Sequence, residues 1–205
     1  QNFLIMDYFL KKFSDDQLRE GRVTKFFLDE VNPYLESSCI NTINLEIGCG
    51  HGHWINAYSS QHRESVCLGI DLITKRISKA VRKKENLLND NLFFLKADAL
   101  EFLKFKPQSI LFSNIFIFFP DPWPKKKHHK RRLIQNSFLE DLCLHTHKNC
   151  NIYFRTDHNE YFKWTLDIFE KSTHWNPSNL VWPLEHKSYF QDLLPEFSSL
   201  TATRA

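Results

Sequence analysis

The chain has 205 residues, 42% of them hydrophobic and 25% charged, which fits one domain of ordinary size with an extension and excludes a disordered chain. A formal net charge of +3 excludes a whole-molecule field for polyanions, so any nucleic-acid surface has to be local. Five cysteines (39, 49, 67, 143 and 150) without a C-x-x-C pair fit a reducing compartment, and with no span-length apolar run and no signal peptide in view we expect a cytoplasmic protein.

Residues 1–40 read as an extension packed on the core, with a lid or RNA-contacting arm as the other reading. Residues 3–10 are apolar and fit a strand or a buried helix equally well. Residues 15–35 read as a helix that Asn32 and Pro33 mostly close. From Ile43 onward the pattern alternates as βα units do. Strands are expected at 43–47, at 65–70 ending on Asp71, at 92–96 ending on Asp98, at 114–119 ending on Asp121, and at 151–155 ending on Asp157. Helices are expected at 54–60, 74–88, 99–105, 133–144 and 160–171. The helix 74–88 is amphipathic, with Ile77, Ala80, Val81 and Leu88 on one side and Lys75, Arg76, Lys79, Arg82 and Lys83 mostly on the other. Late strands at 180–182 and 199–204 complete an α/β fold with a doubly wound, mostly parallel, seven-stranded sheet.

The apolar run 43–47 stops abruptly in Gly48, Gly50 and Gly52, before the helix that starts near Trp54. Glycine permits positive φ and a close approach of ligand to backbone. The following helix turns its N–H groups and dipole toward whatever the turn holds. A dinucleotide fingerprint is G-x-G-x-x-G, but here the third glycine comes one residue early, with Glu46 two residues before the first. This spacing resembles motif I of class I S-adenosylmethionine (SAM) methyltransferases, and it disfavours a nicotinamide-dependent oxidoreductase.

Five acids, Glu46, Asp71, Asp98, Asp121 and Asp157, fall at or just past the carboxyl ends of successive strands. Ligands of open α/β sheets bind outside that edge. One such acid is commonly a helix cap. Five on one rim raise each other's pKa and call for a cationic or hydroxyl-rich ligand. A sulfonium cofactor with a ribose diol and an adenine amine answers both needs. Asp71 lies near the spacing at which an acid meets ribose hydroxyls, and Asp98 with Ala99 is placed for the adenine.

Past the fourth strand, Pro120, Pro122 and Pro124 fix a rigid, non-helical loop that presents Asp121 and Trp123. Six Lys/Arg and two His then fill the eight positions 125–132. Beside a rigid loop at the ligand edge, such a run favours phosphate-backbone contact over a merely solvated face. The stretch 44–164 closely resembles the bacterial tRNA (guanine-N7-)-methyltransferase family, which modifies guanine 46 of the tRNA variable loop. The residues that carry the resemblance are 45–50, 69–71, 97–99, the nearly full-length loop motif 118–132, and 155–157. The resemblance implies SAM as cofactor and tRNA as partner; we expect a methyltransferase domain over 41–205, and the sequence leaves monomer and homodimer both open. The resemblance places Glu46, Asp71, Asp98 and Asp121 at the cofactor, with Asp121 also catalytic, beside Gly48, Gly50, Gly52 and Ala99 already read as cofactor residues from the turn and strand ends. It places Lys125 and Asp157 at the substrate, and Lys127, His128, His129, Lys130, Arg131 and Arg132 on RNA. Two departures stand out. The family often has Glu where Asp71 stands, and its Thr-x-x-Glu substrate motif finds its nearest match in Ser188 to Gln191, with an amide for the carboxylate.

Guanine N7 carries an in-plane lone pair and no proton, so methylation from a sulfonium needs alignment and negative charge near the purine rather than a strong base. Asp121 and Asp157 suit that task, or can accept from the guanine N1–H and N2 amine. Trp123 is read as a base-stacking ring or a brace of its loop. A methyltransferase acting on an exocyclic amine would carry Asn/Asp-Pro-Pro-aromatic after strand four, and here Trp123 separates the prolines. A non-catalytic RNA-binding subunit of the same fold is a further reading, disfavoured by the intact acids. The segment 143–150, with its two Cys and two His, lacks a zinc spacing, and no metal is expected. His51 and His53 are read as loop packing.

Overall fold

The computed structural model describes residues 17–38, 40, 42–185 and 196–205. The apolar stretch 3–10 and the candidate substrate residues Ser188 and Gln191 lie outside them. The chain divides into two compact units, one through Leu111 and one from Phe112.

In the first unit, helix α1 (Gln17–Phe26) passes through a π-helical turn (Phe27–Val31) into α2 (Asn32–Ser38). Pro33 therefore does not close the helix, contrary to the sequence expectation. The Asn32 N–H bonds five residues back to Phe27 O, so the ladder has already slipped when the proline, which brings no N–H, arrives. The buried carboxylate of Glu101 meets the guanidinium groups of Arg19 and Arg22 on α1, and the Phe27 and Phe102 rings lie 5.7 Å apart. These contacts pack residues 17–38 against the sheet-bearing part of the unit.

Strands β1 (Ile43–Ile47), β2 (Val66–Asp71) and β3 (Leu92–Lys96) pair in parallel in the order β3-β2-β1. All residues of β1 and β2 are buried, as strands covered on both faces must be. Helices α3 (His53–Gln61), α4 (Thr74–Leu87) and α5 (Ala99–Phe105) follow them in turn. Leu88 was expected on the apolar side of α4. It is instead the exposed left-handed C-cap, φ 52°, because the helix ends one residue earlier.

In the second unit β4 (Phe112–Phe118) pairs in parallel with β5 (Thr146–Thr156), which begins five residues before its expected start. Helices α6 (Asn136–Cys143) and α7 (Asn159–Glu170) flank β5 in sequence. The last two strands are β6 (Trp175–Ser178) and β7 (Ser198–Arg204), and the order is β4-β5-β7-β6 with β7 antiparallel to both neighbours. The expected strand at 180–182 is absent; 175–178 takes its place. Trp175 is fully buried, and Pro177 is tolerated because β6 pairs on one side only. Together the seven strands make a mostly parallel α/β sheet with flanking helices.

Candidate functional site

The glycine turn after β1 is built by backbone. Gly48, Gly50 and Gly52 have φ of 78°, 56° and 66°, a region where side chains other than glycine's are strained. The N–H groups of Gly48 and Cys49 both donate to Ile70 O, at 2.8 and 2.9 Å, which fastens the turn to the end of β2. A Cβ at Gly52 would meet Ala80 Cβ and Phe94 Cζ at 2.8 Å, so helix α4 and strand β3 press directly on the turn. At Gly48 and Gly50 the corresponding space is open, as a ligand-facing surface requires.

Asp71, 5% exposed, accepts from Gly50 N–H at 3.0 Å through Oδ2 and from Ile73 N–H at 2.8 Å through Oδ1. The Arg76 guanidinium lies 3.6 Å from Oδ2. Each oxygen keeps acceptor capacity, but the carboxylate's visible work is to shape the turn. Glu46 is 3% exposed, and its Oε2 has no partner among the described residues. Burial, against an opposing Ile55 backbone hydrogen bond, pushes its carboxyl well above the usual range, and the Asp71 charge adds to the rise. A buried carboxyl with one oxygen unpartnered, two residues from open glycine faces, suits a cationic, hydroxyl-bearing ligand. Ala97 N–H bonds Asp71 O, so Asp98 follows directly; its side chain caps α5 by accepting from Leu100 N–H at 2.9 Å, and Ala99 is buried in the first turn. Glu46, the three glycines and Asp71 thus form one cluster, with Asp98 and Ala99 at its margin.

Sequence reasoning missed Asn56. Fully buried on α3, it donates from Nδ2 to Gly52 O at 2.8 Å and accepts at its backbone O from Asn89 Nδ2 at 2.8 Å. The signal was an amide on the buried face of the helix, among Trp54, Ile55 and Tyr58.

The loop after β4 is held differently. Phe119 N–H bonds Arg155 O at 2.8 Å, so the exits of β4 and β5 stay adjacent, and Asp121 and Asp157 follow them as exposed acids. Phe119 and Trp123 take positive φ, 50° and 44°, with no glycine at either place. Non-glycine residues persist in such conformations only where surroundings over-determine them. Arg132 supplies part of that constraint next to Trp123. It was expected on RNA, and the structure corrects this: its side chain is fully buried. Nε donates to Pro122 O at 2.8 Å, the guanidinium lies 5.0 and 5.1 Å from the Tyr161 and Trp164 rings, and one terminal nitrogen stands 3.3 Å from Glu160. Burial between two aromatic faces suits arginine's planar cation. His129 Nε2 sits 3.1 Å from Arg132 and 3.2 Å from Glu160, inside the same network.

The basic run itself is a 3₁₀ turn (Lys126–Arg131) that leaves Lys125, Lys126, Lys127, Lys130 and Arg131 exposed and His128 half-buried. Trp123 is gripped by this turn. The Arg131 guanidinium lies 5.0 Å over its ring and His128 meets it edge-on at 5.8 Å. A second buried cation is Arg155. It pairs with both Glu185 oxygens at 2.9 Å and lies 3.8 Å over the Trp182 ring.

The sheet and the glycine turn define a Rossmann-like methyltransferase fold. A solved antibiotic-related methyltransferase matches it with a TM-score of 0.58 at 18% identity, over 86% of this chain and 92% of that one. The model of a family described as "putative methyltransferase" matches residues 41–189. A tRNA (guanine-N(7)-)-methyltransferase of Mycoplasma pneumoniae is 34% identical over 166 residues, 80% of this chain and 77% of the relative. One of Methylobacillus flagellatus is 35% identical over 127 residues, 62% of this chain and 53% of that relative. The chain thus spans about half the length of one relative and about three quarters of the other. It belongs to the tRNA (guanine-N(7)-)-methyltransferase family.

Proposed function

We propose that the chain transfers a methyl group from SAM to N7 of guanine in tRNA, at position 46 of the variable loop, as a cytoplasmic enzyme. The observation that carries this reading is the strand-four loop: an exposed Asp121, next to the Pro122 carbonyl that buried Arg132 holds, is followed by a turn of exposed cations. That combination serves a reaction in which negative charge faces a base while cations hold its phosphates.

Glu46, Gly48, Gly50, Gly52 and Asp71 would hold the cofactor, with Asp98 and Ala99 at the adenine. Bound there, SAM would supply the methyl group on a cationic sulfur, its C–S bond breaking toward a neutral thioether as the guanine N7 lone pair took the carbon. The purine gains the positive charge that sulfur loses, so no proton has to be removed. In this reading Asp121 stabilises the charge growing on the purine. Asp157 accepts from the guanine N1–H and N2 amine, and Lys125 meets the substrate phosphate. Lys127, Lys130 and Arg131 hold the backbone beyond it, with His128 beside them.

Incubating the protein with unmodified tRNA and labelled SAM, then mapping the product, tests the reading. The expected product is 7-methylguanine at position 46, lost when that guanine is replaced. Methyl on an exocyclic amine, or tight SAM binding with no transfer, would overturn it.

A further inference from the structure

Helix α4 carries six basic side chains and one acid in 14 residues. Exposed Lys75, Lys79 and Arg82 and half-buried Lys83 share one arc, at helical spacings of three and four, while Ala80 is buried on another side between half-buried Ile77 and Val81. At about 1.5 Å per residue this arc is roughly 12 Å long. Lys84 belongs to another face and lies 4.6 Å over the Phe93 ring. Arg76 is drawn to Asp71. Among the described residues, no carboxylate stands within ion-pair distance of the four.

A face that is merely solvated interleaves Glu with Lys, because opposite charges four residues apart support a helix and like charges weaken it. Here Lys75 and Lys79, and then Lys79 and Lys83, repeat the same sign at that spacing. The fold by itself gains nothing from the arrangement. The stripe also borders the glycine turn. Ala80 presses on Gly52, and the cations of Lys79, Arg76 and Lys83 add to burial in holding the His51 imidazole below its ordinary value.

We propose that this arc of α4 is a second phosphate-contacting surface for the RNA substrate, separate in the chain from the basic turn after β4. It extends the reading of the chain as a tRNA methyltransferase and rests on it. RNA backbone is the partner that fits. The arc presents cations with no apolar side chain among them, so it can meet phosphates but has nothing to insert into a bilayer. A strip about 12 Å long matches an extended strand of phosphates rather than a single small anion.

The test compares two full-length variants of equal charge. One is K75Q/K79Q/R82Q/K83Q; the other is K25Q/K104Q/K148Q/K163Q, which neutralises four exposed lysines elsewhere. Unfolding midpoints and SAM affinity confirm that both are folded. tRNA binding is then measured across a salt series, with anionic vesicles as a parallel probe. The stripe variant should flatten the slope of log affinity against log salt by roughly 1 per lost phosphate contact, about 3–4 in all, and the control should barely move it. A stripe variant whose slope equals the control's overturns the proposal. So does loss of vesicle binding with the tRNA slope intact, which would assign the stripe to a membrane surface. Wild-type protein that binds tRNA without methylating N7 would overturn the functional reading and leave the stripe standing. Wild-type protein that binds no tRNA would overturn both.

Discussion

The two ligand-edge loops solve one problem by different means. After β1 the chain turns on glycines whose positive φ costs little, and it is tied down by N–H groups donating to Ile70 O and to buried Asp71. After β4 positive φ falls on Phe119 and Trp123, and an arginine ten residues further on holds Pro122 in place from a slot between two aromatic rings. The first loop carries its conformation in its own residues. The second borrows its conformation from side chains that arrive later, so it should be rigid only while they are present.

The largest effect that would test this contrast comes from Arg132. Arg132→Ala leaves Pro122 O without its donor and opens a cavity between Tyr161 and Trp164, so we expect a loss of about 3–5 kcal/mol in urea unfolding. Lys130→Ala, on the exposed side of the same turn, should stay within about 0.5 kcal/mol. Equal small losses at both positions would make Arg132 one more solvated cation and erase the difference between the loops.

Those two residues also show where reading the sequence stopped. Glycines and a strand-end acid announce a turn and a ligand edge without help from anything distant, and the five main strands follow from short apolar runs bounded by acids. Within 125–132, by contrast, every cation looks alike; only the fold decides that Arg132 turns inward. Pro33 misled for a related reason, since the π-turn that absorbs it depends on the packing of Phe27 and Val31. Pro177 hid β6 because proline is acceptable on a strand with a single neighbour, and that neighbour, β7, comes some twenty residues later. The pairing of Arg155 with Glu185 spans a similar separation.

In the glycine turn, Asp71→Ala should weaken SAM binding by about 1–3 kcal/mol, since the carboxylate shapes the turn through Gly50 and Ile73. Tryptophan fluorescence or calorimetry with unchanged SAM affinity would mean that the glycines hold the turn unaided. A smaller signal, but a cleaner one, comes from Glu46. Burial raises its folded-state pKa above the ordinary 4.5. Between those two values the folded chain keeps a proton that the unfolded chain has lost, so stability falls as pH rises through the window. Glu46→Gln should remove that decline. If the cofactor's cation meets Glu46 as a carboxylate, SAM binding within that window should release protons in the wild type that Glu46→Gln does not release. Calorimetry in buffers of different ionisation enthalpy reads this directly, and equal proton release in both proteins would detach Glu46 from the cofactor.

Under the proposed function the contrast becomes a division of labour, in which the glycine turn would bind the methyl donor and the strand-four loop would stabilise the charge that transfer places on the purine. Asp121→Asn tests that most directly, because the amide keeps the shape of the side chain and removes its charge. In single-turnover experiments at saturating SAM and tRNA, methyl transfer should slow by about 10²–10³-fold, the loss expected when one preorganised electrostatic group is removed, while tRNA affinity stays nearly constant. A variant that transfers methyl groups within a few-fold of the wild-type rate would contradict the account and leave Asp121 as a residue of the loop's architecture alone.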